Sequence, residues 1–274
     1  MTPDAPSPAH VKLNLQHIGV LLREDTADIP VHHLRTIFDR VGARVHVLND
    51  SLPEEALDLV IAMGGDGTVL KALDLFPNCP VLAVNFGTVG FLTAGDRGDL
   101  ERLVFRLLAN DYILSDRVLL RCEHPCGVTH AINEVVLRST HRMISVDVFV
   151  NGARIRTIRG DGVIAGTPTG STGYLLSTGA PLVMPDVSCF ILDGINEYNF
   201  SSRALILAPD AQIRLHLTAL QQGQEAQLVI DGVQQDVLRE GQELLLQRSE
   251  RRAQLIFFDQ NYFFHNLSSR LAWN

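Results

Sequence analysis

The amino-acid sequence predicts an α/β domain with a Rossmann-like parallel sheet, followed by an all-β domain of the antiparallel β-sandwich type. Strand and helix periodicities alternate through about the first 116 residues. From residue 117 onward, the period-two alternation of strands replaces helical spacing almost entirely. A glycine-rich turn also follows a buried apolar strand in the first domain, and ligands of parallel sheets bind at the carboxyl ends of such strands.

The first domain, residues 1–116, alternates short apolar runs with segments whose apolar residues lie three or four positions apart. This βαβ alternation implies a parallel sheet covered by helices. The polar, proline-rich residues 1–9 are predicted to be a flexible tail without a signal core. The predicted strands are His17–Leu22, Ala43–Leu48, Asp58–Met63 and Cys79–Phe86, and the predicted helices are Val31–Val41 after a cap at Asp28–Pro30, Val69–Phe76 and Leu100–Leu108.

The second domain, residues 117–258, is predicted to consist mostly of strands. Asn151-Gly152 separates two alternating segments and is typical of a two-residue hairpin turn, and Asp231-Gly232 offers another. Residues 259–274 are predicted to pack back on the first domain as a C-terminal segment. The last two strands of the second domain are predicted at Glu243–Gln247 and Gln254–Phe258, with a polar turn between them.

The composition excludes several classes of partner. A formal net charge of −8 argues against a nucleic-acid partner or an anionic membrane surface. No apolar run approaches the roughly 20 residues that span a bilayer. Four cysteines are too few for a disulfide scaffold in 274 residues, so we expect a cytoplasmic protein.

Cys122, His124, Cys126 and His130 lie close together in the sequence and could form a metal knuckle. Their spacing matches no usual zinc pattern, and the intervening proline and glycine suggest a hairpin turn instead. Both interpretations stay open on the sequence, and no residue is assigned as a metal ligand.

The segment Gly64-Gly65-Asp66-Gly67-Thr68 ends a buried strand and begins a helix. Glycines allow a ligand to approach the backbone closely, and a helix start favours phosphate, so Gly64, Gly65 and Thr68 would form a phosphate cradle. Asp66 is unusual there because a carboxylate repels phosphate. It is better explained as a proton acceptor or a metal ligand. The alternative is an ordinary glycine-rich surface turn.

A second unusual segment covers residues 159–174. The strand Val163–Ala165 runs into glycines, serines and threonines, and then into a short helix at Tyr174–Ser177. Hydroxyls and bare amides suit hydrogen bonding to a polar, uncharged ligand such as a base or a ribose. The alternative is a loop with a capping serine or threonine.

Two further polar groups accompany predicted strands. Asn133-Glu134 interrupts the apolar run Ala131–Leu137, and adjacent strand residues point to opposite faces, so one of the pair would face inward. A buried carboxylate needs partners, which a ribose diol would supply; a solvated strand end is the alternative. Asn85–Phe91 follows another parallel strand and would line the same crevice as Gly64–Thr68.

These motifs, in their order along the chain, resemble those of the bacterial NAD kinases. The Gly-Gly-Asp-Gly-Thr element alone is shared with diacylglycerol kinases, sphingosine kinases and phosphofructokinases, but its combination with Gly166–Tyr174 is highly specific. The resemblance implies transfer of the ATP γ-phosphoryl group to the 2′-hydroxyl of the adenosine ribose of NAD, giving NADP. It rests on Met63–Thr68, Asn85–Leu92, Asn133-Glu134, Asp161–Tyr174 and Tyr262–Trp273.

The resemblance also implies roles for individual residues. Asp66 would accept the proton of the 2′-hydroxyl, and a divalent ion, usually Mg²⁺, would accompany ATP. The chain would form a homodimer or homotetramer with sites shared between subunits. The residues implied to bind NAD are Gly67, Phe91, Asn133, Glu134, Arg142, Arg159, Asp161, Thr169, Thr172, Gly173, Tyr174 and Ser177.

Two other functions remain open on the sequence. A lipid or sphingoid kinase of the same superfamily would share the glycine element, but this chain has the hydroxyl-rich second segment and no amphipathic membrane-facing segment. A non-catalytic dinucleotide-binding sensor would gain from a neutral residue in place of Asp66. The chain departs from many family members in the segment Gly194–Ala204. It also departs at Val233, a position where many members carry glutamine.

Overall fold

The computed structural model describes residues 12–23, 31–48, 55–87, 90–139, 141–199, 202–220 and 225–271. The chain divides into two compact units: unit 1 contains residues 1–116 and 253–274, and unit 2 contains residues 117–252. The predicted tail, residues 1–9, and the predicted cap at Asp28–Pro30 lie outside the described residues. Within the described part, no helix has the length and apolar character needed to cross a membrane.

The described residues of unit 1 form a seven-stranded sheet and four α-helices. The strands are β1 (His17–Leu22), β2 (Arg44–Leu48), β3 (Leu59–Gly64), β4 (Pro80–Asn85), β5 (Gly95–Asp96), β6 (Ile113–Arg117) and β19 (Ala253–Phe257), and the helices are α1 (Val31–Asp39), α2 (Asp66–Leu75), α3 (Leu100–Leu108) and α5 (Tyr262–Leu271).

The sheet of unit 1 has the order β2-β1-β3-β4-β19-β6, with β5 paired to β4. β1, β3 and β4 run parallel to one another, so the carboxyl ends of β3 and β4 lie at the same edge. Both strands are buried along their whole length, which explains their unbroken apolar sequences. The predicted α/β architecture of this region is confirmed.

Two predicted helix boundaries were wrong. Helix α1 ends at Asp39, so Val41, predicted on its buried face, is 53% exposed. The following Gly42 has φ +78°, a conformation that ends a helix readily. Helix α2 begins at Asp66 rather than after Thr68, so the acid belongs to the first turn of the helix.

The prediction that Gln254–Phe258 forms the last strand of the second domain was also wrong. Strand β19 pairs in parallel with β4 and belongs to unit 1. Three consecutive side chains, from Leu255 to Phe257, are buried, as expected for an inner strand of a sheet that is covered on both faces. Helix α5 also belongs to unit 1, as predicted, and the Tyr262 ring stacks on Phe257 with 3.5 Å between ring centroids.

Unit 2 is built from two six-stranded antiparallel sheets. Its elements are β7 (Leu120–His124), β8 (Gly127–Ala131), β9 (Glu134–Arg138), β10 (Ile144–Val150), β11 (Ala153–Gly160), β12 (Gly162–Gly166), α4 (Tyr174–Thr178), β13 (Phe190–Ile195), β14 (Leu205–Leu207), β15 (Ile213–Ala219), β16 (Ala226–Ile230), β17 (Val233–Leu238) and β18 (Glu243–Arg248).

One sheet of unit 2 has the order β11-β10-β15-β18-β7-β8, and the other has the order β14-β13-β12-β9-β16-β17. A single apolar core contains inward-facing side chains from both sheets, which confirms the predicted sandwich. The turns Asn151-Gly152 and Asp231-Gly232 join the hairpins β10–β11 and β16–β17. All four turn residues have positive φ, the conformation that such two-residue turns require.

The residues considered as a metal knuckle form the hairpin β7–β8. The Cys122 side chain is buried in the apolar core. Nδ1 of His124 lies 2.9 Å from Asp236 Oδ2, and the Cys126 thiol donates to Asp236 Oδ1 at 3.2 Å. Nδ1 of His130 instead lies 2.8 Å from Ser249 Oγ. His124 and Cys126 thus share Asp236, whereas Cys122 and His130 lie in other surroundings. No group of three or more His, Cys, Asp or Glu side chains among the described residues could hold a metal.

Candidate functional site

The glycine turn of unit 1 joins β3 to α2, with Gly65 as the N-cap residue. A Cβ atom added at Gly64 would clash with the Thr68 hydroxyl, so packing requires glycine there. A Cβ added at Gly65 or Gly67 would meet no atom within 4 Å. The backbone at the start of α2 therefore borders open space, where a phosphate could approach its N–H groups.

Two backbone amides fix the Asp66 carboxylate. The N–H of Phe91 donates to Oδ2 at 3.0 Å, and the N–H of Leu92 donates to Oδ1 at 3.1 Å. Gly90 permits this approach, because a Cβ there would clash with the carboxylate. A carboxylate offers about four lone-pair positions, so each oxygen of Asp66 can still accept a hydrogen bond or a proton. The arrangement is suited to a general base.

Asn85, at the end of β4, shapes the neighbouring loop. Its amide nitrogen donates to Gly87 O at 2.9 Å and to Asp96 Oδ1 at 3.1 Å, and its Oδ1 accepts the Gly87 N–H at 3.1 Å. The N–H of Phe86 donates to Gly64 O at 3.3 Å, which joins this loop to the glycine turn. Asn85 is 2% exposed and has a structural role here.

In unit 2, Asn133 and Glu134 present two buried oxygen atoms that have no hydrogen-bond partner among the described residues, Asn133 Oδ1 and Glu134 Oε2. A Cβ built on Gly173 would lie 2.9 Å from Glu134 Oε2 and 3.5 Å from the Asn133 amide nitrogen, so both side chains adjoin this glycine. Buried acceptors are normally satisfied. A ligand that carries two hydroxyl donors, such as a ribose, would satisfy both.

Burial is the main reason why the pKa of Glu134 is raised to about 7, and the negative charge of Asp231 adds to the effect. A backbone hydrogen bond from Tyr174 opposes this shift. The free protein therefore keeps a carboxylate in surroundings that disfavour its charge, which is common where a group is held for a ligand and not for stability.

Asp231 fixes the loop that carries Asn133 and Glu134. Its carboxylate accepts the N–H groups of Ile132 at 2.7 Å, Asn133 at 2.8 Å and Glu134 at 3.0 Å. Asp231 was predicted only as a turn residue, and its φ of +47° confirms the turn. An aspartate before glycine is expected in any such turn, so the sequence contained no signal of this second role.

The prediction that Asn133-Glu134 interrupts a continuous strand was wrong. Strand β8 ends at Ala131 in one sheet of unit 2, and β9 begins at Glu134 in the other. Ile132 and Asn133 connect the two strands and carry the chain from one sheet to the other. Strand alternation therefore does not set the direction of the Asn133 side chain.

The hydroxyl-rich segment approaches Asn133 through its backbone. The Thr167 N–H donates to Asn133 O at 2.9 Å, and a Cβ at Gly170 would clash with the same carbonyl. The Thr172 hydroxyl donates to Thr169 O at 3.1 Å, and Thr169 Oγ1 accepts from Arg117 at 3.4 Å. The Thr172 hydroxyl therefore bonds within the segment and the Thr169 hydroxyl bonds to Arg117. Gly173 and Tyr174 border Glu134.

The remaining predicted residues lie elsewhere in unit 2. Asp161 accepts a hydrogen bond from Asn196 at 2.7 Å, and Asn196 and the exposed Ser177 line a polar cavity of about 440 Å³. Arg159 is exposed on the edge strand β11, and Arg142 is exposed just before β10. The structure thus brings Asn133, Glu134, Gly173 and Tyr174 together, and both arginines lie outside this buried cluster.

Two family models match the chain. Residues 16–112 match the ATP-NAD kinase N-terminal domain, and residues 132–258 match the ATP-NAD kinase C-terminal domain. The chain is 33% identical over 210 residues to an NAD kinase of Methanothermobacter thermautotrophicus, covering 75% of this chain and 74% of that protein. It is 32% identical over 233 residues to an NAD kinase of Geotalea daltonii, covering 82% and 81%.

Two solved structures share the fold. An NAD kinase from Archaeoglobus fulgidus in complex with ATP is 28% identical with a TM-score of 0.78, covering 93% of this chain and 99% of that chain. Yeast NADH kinase complexed with NADH is 24% identical with a TM-score of 0.86, covering 98% and 93%, and shows the likeness of fold alone. Two matched domain models and relatives that align over most of their length show that the chain belongs to the NAD kinase family.

Proposed function

We propose that this NAD kinase transfers the γ-phosphoryl group of ATP to the 2′-hydroxyl of the adenosine ribose of NAD, with Asp66 as the base. The hydroxyl oxygen forms a bond to the γ-phosphorus, the bond from that phosphorus to the β,γ-bridging oxygen breaks, and Asp66 takes the hydroxyl proton. The products are NADP and ADP. The Asp66 carboxylate, fixed by two backbone amides with accepting capacity left, is the observation that carries the proposal.

Phosphoryl transfer depends mainly on positioning and charge stabilisation. The open backbone at Gly65 and Gly67 and the first turn of α2 suit the phosphates of a nucleotide. Mg²⁺ would enter this site with the nucleotide and be held mainly by its phosphates, and the open backbone at Gly65 and Gly67 leaves room for that complex. When bound, the ion would neutralise phosphate charge.

The acceptor NAD is proposed to bind through the unpaired oxygens of Asn133 and Glu134, which would accept hydrogen bonds from ribose hydroxyls. Gly67, Phe91, Gly173 and Tyr174 would complete the dinucleotide contacts, with Asp161, Thr169, Thr172 and Ser177 as further contacts and Arg142 and Arg159 at exposed positions. A lipid or sphingoid kinase is not retained, because both matched models are of ATP-NAD kinase. A non-catalytic sensor would have no use for a fixed carboxylate beside a phosphate cradle.

We also propose a cytoplasmic homodimer or homotetramer. The four cysteines are all free, as expected in a reducing compartment. Ile206 on β14 and Val233 on β17 are 52% and 60% exposed, and both strands are edges of the same sheet. An exposed edge with apolar side chains is a natural surface for a second copy of the chain.

Asp66→Asn should lower turnover by about 10²–10⁴-fold while NAD binding stays near the wild-type value, because the base is lost and the surrounding loop remains. The assay supplies ATP, Mg²⁺ and NAD and detects NADP with an NADP-specific dehydrogenase. Asp74→Asn, an exposed change on the same helix, is the matched control and should keep full activity. Half of the wild-type activity in Asp66→Asn would refute the role of Asp66.

Glu134→Gln should weaken NAD binding measured by calorimetry, because a charged acceptor forms hydrogen bonds about twice as strong as a neutral one. Glu250→Gln, which removes an exposed carboxylate from the same unit, should leave the affinity unchanged. Equal NAD affinity in the wild type and Glu134→Gln would return Glu134 to a purely structural role.

The same Glu134→Gln change should stabilise the ligand-free protein at pH 8. Because the folded-state pKa of Glu134 is about 7, above its ordinary value of 4.5, the folded protein binds this proton more tightly, and stability falls as pH rises through that window. Glutamine removes this loss of stability, which is of the order of 3 kcal/mol at pH 8. Urea unfolding of both proteins at pH 5 and pH 8 measures the difference in the free energy of unfolding. A difference of the same size at both pH values would contradict the raised pKa of Glu134.

Light scattering at micromolar concentration should find a homodimer or homotetramer. A double change that places lysine at Ile206 and at Val233 should shift the protein towards the monomer, because charges on sheet edges oppose pairing between chains. A fully active monomeric wild-type protein would exclude sites shared between subunits.

A further inference from the structure

Asn266 lies on α5, 175 positions after Phe91, whose N–H binds Asp66. The segment Tyr262–Trp273 carries part of the family resemblance, but the sequence assigns Asn266 no role of its own. Its amide nitrogen donates to Phe91 O at 3.1 Å and to Thr93 O at 3.3 Å. Two carbonyl acceptors on one side require a donor, so the amide must present its nitrogen to them. Asn266 is half-buried, which limits competition from water for these bonds.

The first of these bonds reaches Asp66 through a single peptide group. The carbonyl of Phe91 and the N–H of Leu92 belong to the same planar peptide. That peptide accepts from Asn266 at one end and donates to Asp66 Oδ1 at the other, at 3.1 Å in both cases. A rigid plane with both ends bonded has little freedom to rotate, and bonds in such a chain polarise one another.

The second bond anchors the same loop to the sheet. The carbonyl of Thr93 shares a peptide with the N–H of Ala94, which donates to Ala83 O on β4 at 2.8 Å. Asn266 therefore joins two peptide groups, one bonded to Asp66 and one bonded to a buried strand. The loop between them is held at both ends by one side chain.

Helix α5 is itself firmly attached to unit 1, which makes it a suitable base for this contact. Phe263 and Leu267 are buried, and the Tyr262 hydroxyl lies 3.1 Å from Ser115 Oγ. Arg270, one turn after Asn266, places its guanidinium 5.5 Å from the centre of the Phe91 ring. The helix thus contacts the backbone and the ring of the residue whose N–H binds Asp66 Oδ2.

We propose that Asn266 is a positioning residue for phosphoryl transfer: it orients the Phe91–Leu92 peptide and thereby the Asp66 carboxylate. This inference rests on the proposed function of Asp66 as the base. Asn266 acts through this peptide and not on the substrate. Its loss should therefore slow the chemical step without changing substrate binding. Small misplacements of a catalytic group cost large factors in rate.

The test compares kcat and KM for Asn266→Ala, Asn266→Asp and the neighbouring control His265→Ala, whose side chain is exposed and pairs with Asp259. Alanine favours helix, so the first variant should stay folded. We expect kcat to fall about tenfold in Asn266→Ala with both KM values within about twofold. Asn266→Asp keeps the shape but turns oxygen atoms towards both carbonyls, so its kcat should fall at least as far. His265→Ala should match the wild type.

A second measurement separates positioning from general stability. In an Asp66→Ala background, Asn266→Ala should leave the residual single-turnover rate unchanged, because its effect passes through the missing carboxylate. An equal loss in both backgrounds, or a kcat within twofold of wild type for either Asn266 variant, would overturn the proposal. Full activity of Asp66→Ala would instead refute the base itself, so the two failures are distinguishable.

Discussion

The candidate site of this chain is organised by carboxylates that backbone N–H groups hold in place. Asp66 accepts two amides from Phe91 and Leu92, and Asp231 accepts three from Ile132 to Glu134. In each case a charged acceptor orders a loop at the end of a strand, because hydrogen bonds to an ionised group are short and strong. Asp231 thereby positions the loop that carries Asn133 and Glu134. In unit 1 it is the Asp66 carboxylate itself that the hydrogen bonds position.

The two unpaired oxygens, Glu134 Oε2 and Asn133 Oδ1, illustrate the cost of such a site. Burial without enough donors disfavours the charge of Glu134 and raises its pKa to about 7. A fully satisfied network would stabilise the fold and leave nothing for a ligand to supply. Under the proposed function, the ribose of NAD would supply the missing donors. The apolar core of unit 2 offsets the cost of leaving these oxygens unpaired in the free protein.

The sequence predicted the turns and the secondary-structure periodicities, which depend on residues that are close together along the chain. The glycine turn before α2, the two-residue turns at Asn151 and Asp231, and the change from helical to strand periodicity all have local causes. They are sufficient to predict the α/β and antiparallel parts of the fold. Long-range pairings were beyond it. Strand β19 follows the strands of unit 2 along the chain but pairs with β4 of unit 1. Asn266 has the pattern of an ordinary helix residue, yet the fold brings it to Phe91. A pattern in one segment contains no information about its partner.

The position of β19 also has a consequence for the order of events during synthesis. β19 lies between β4 and β6 in the sheet, yet it follows the whole of unit 2 along the chain. The ribosome therefore releases every strand of the sandwich before it releases this inner strand. Unit 2 can form its core as an uninterrupted segment of the chain. Until β19 is synthesised, the earlier part of unit 1 lacks the strand that pairs with β4 between β4 and β6. The pairing of β19 with β4 is a contact of high sequence separation, and we expect it to form slowly. Until it forms, the edge of β4 is exposed to other chains.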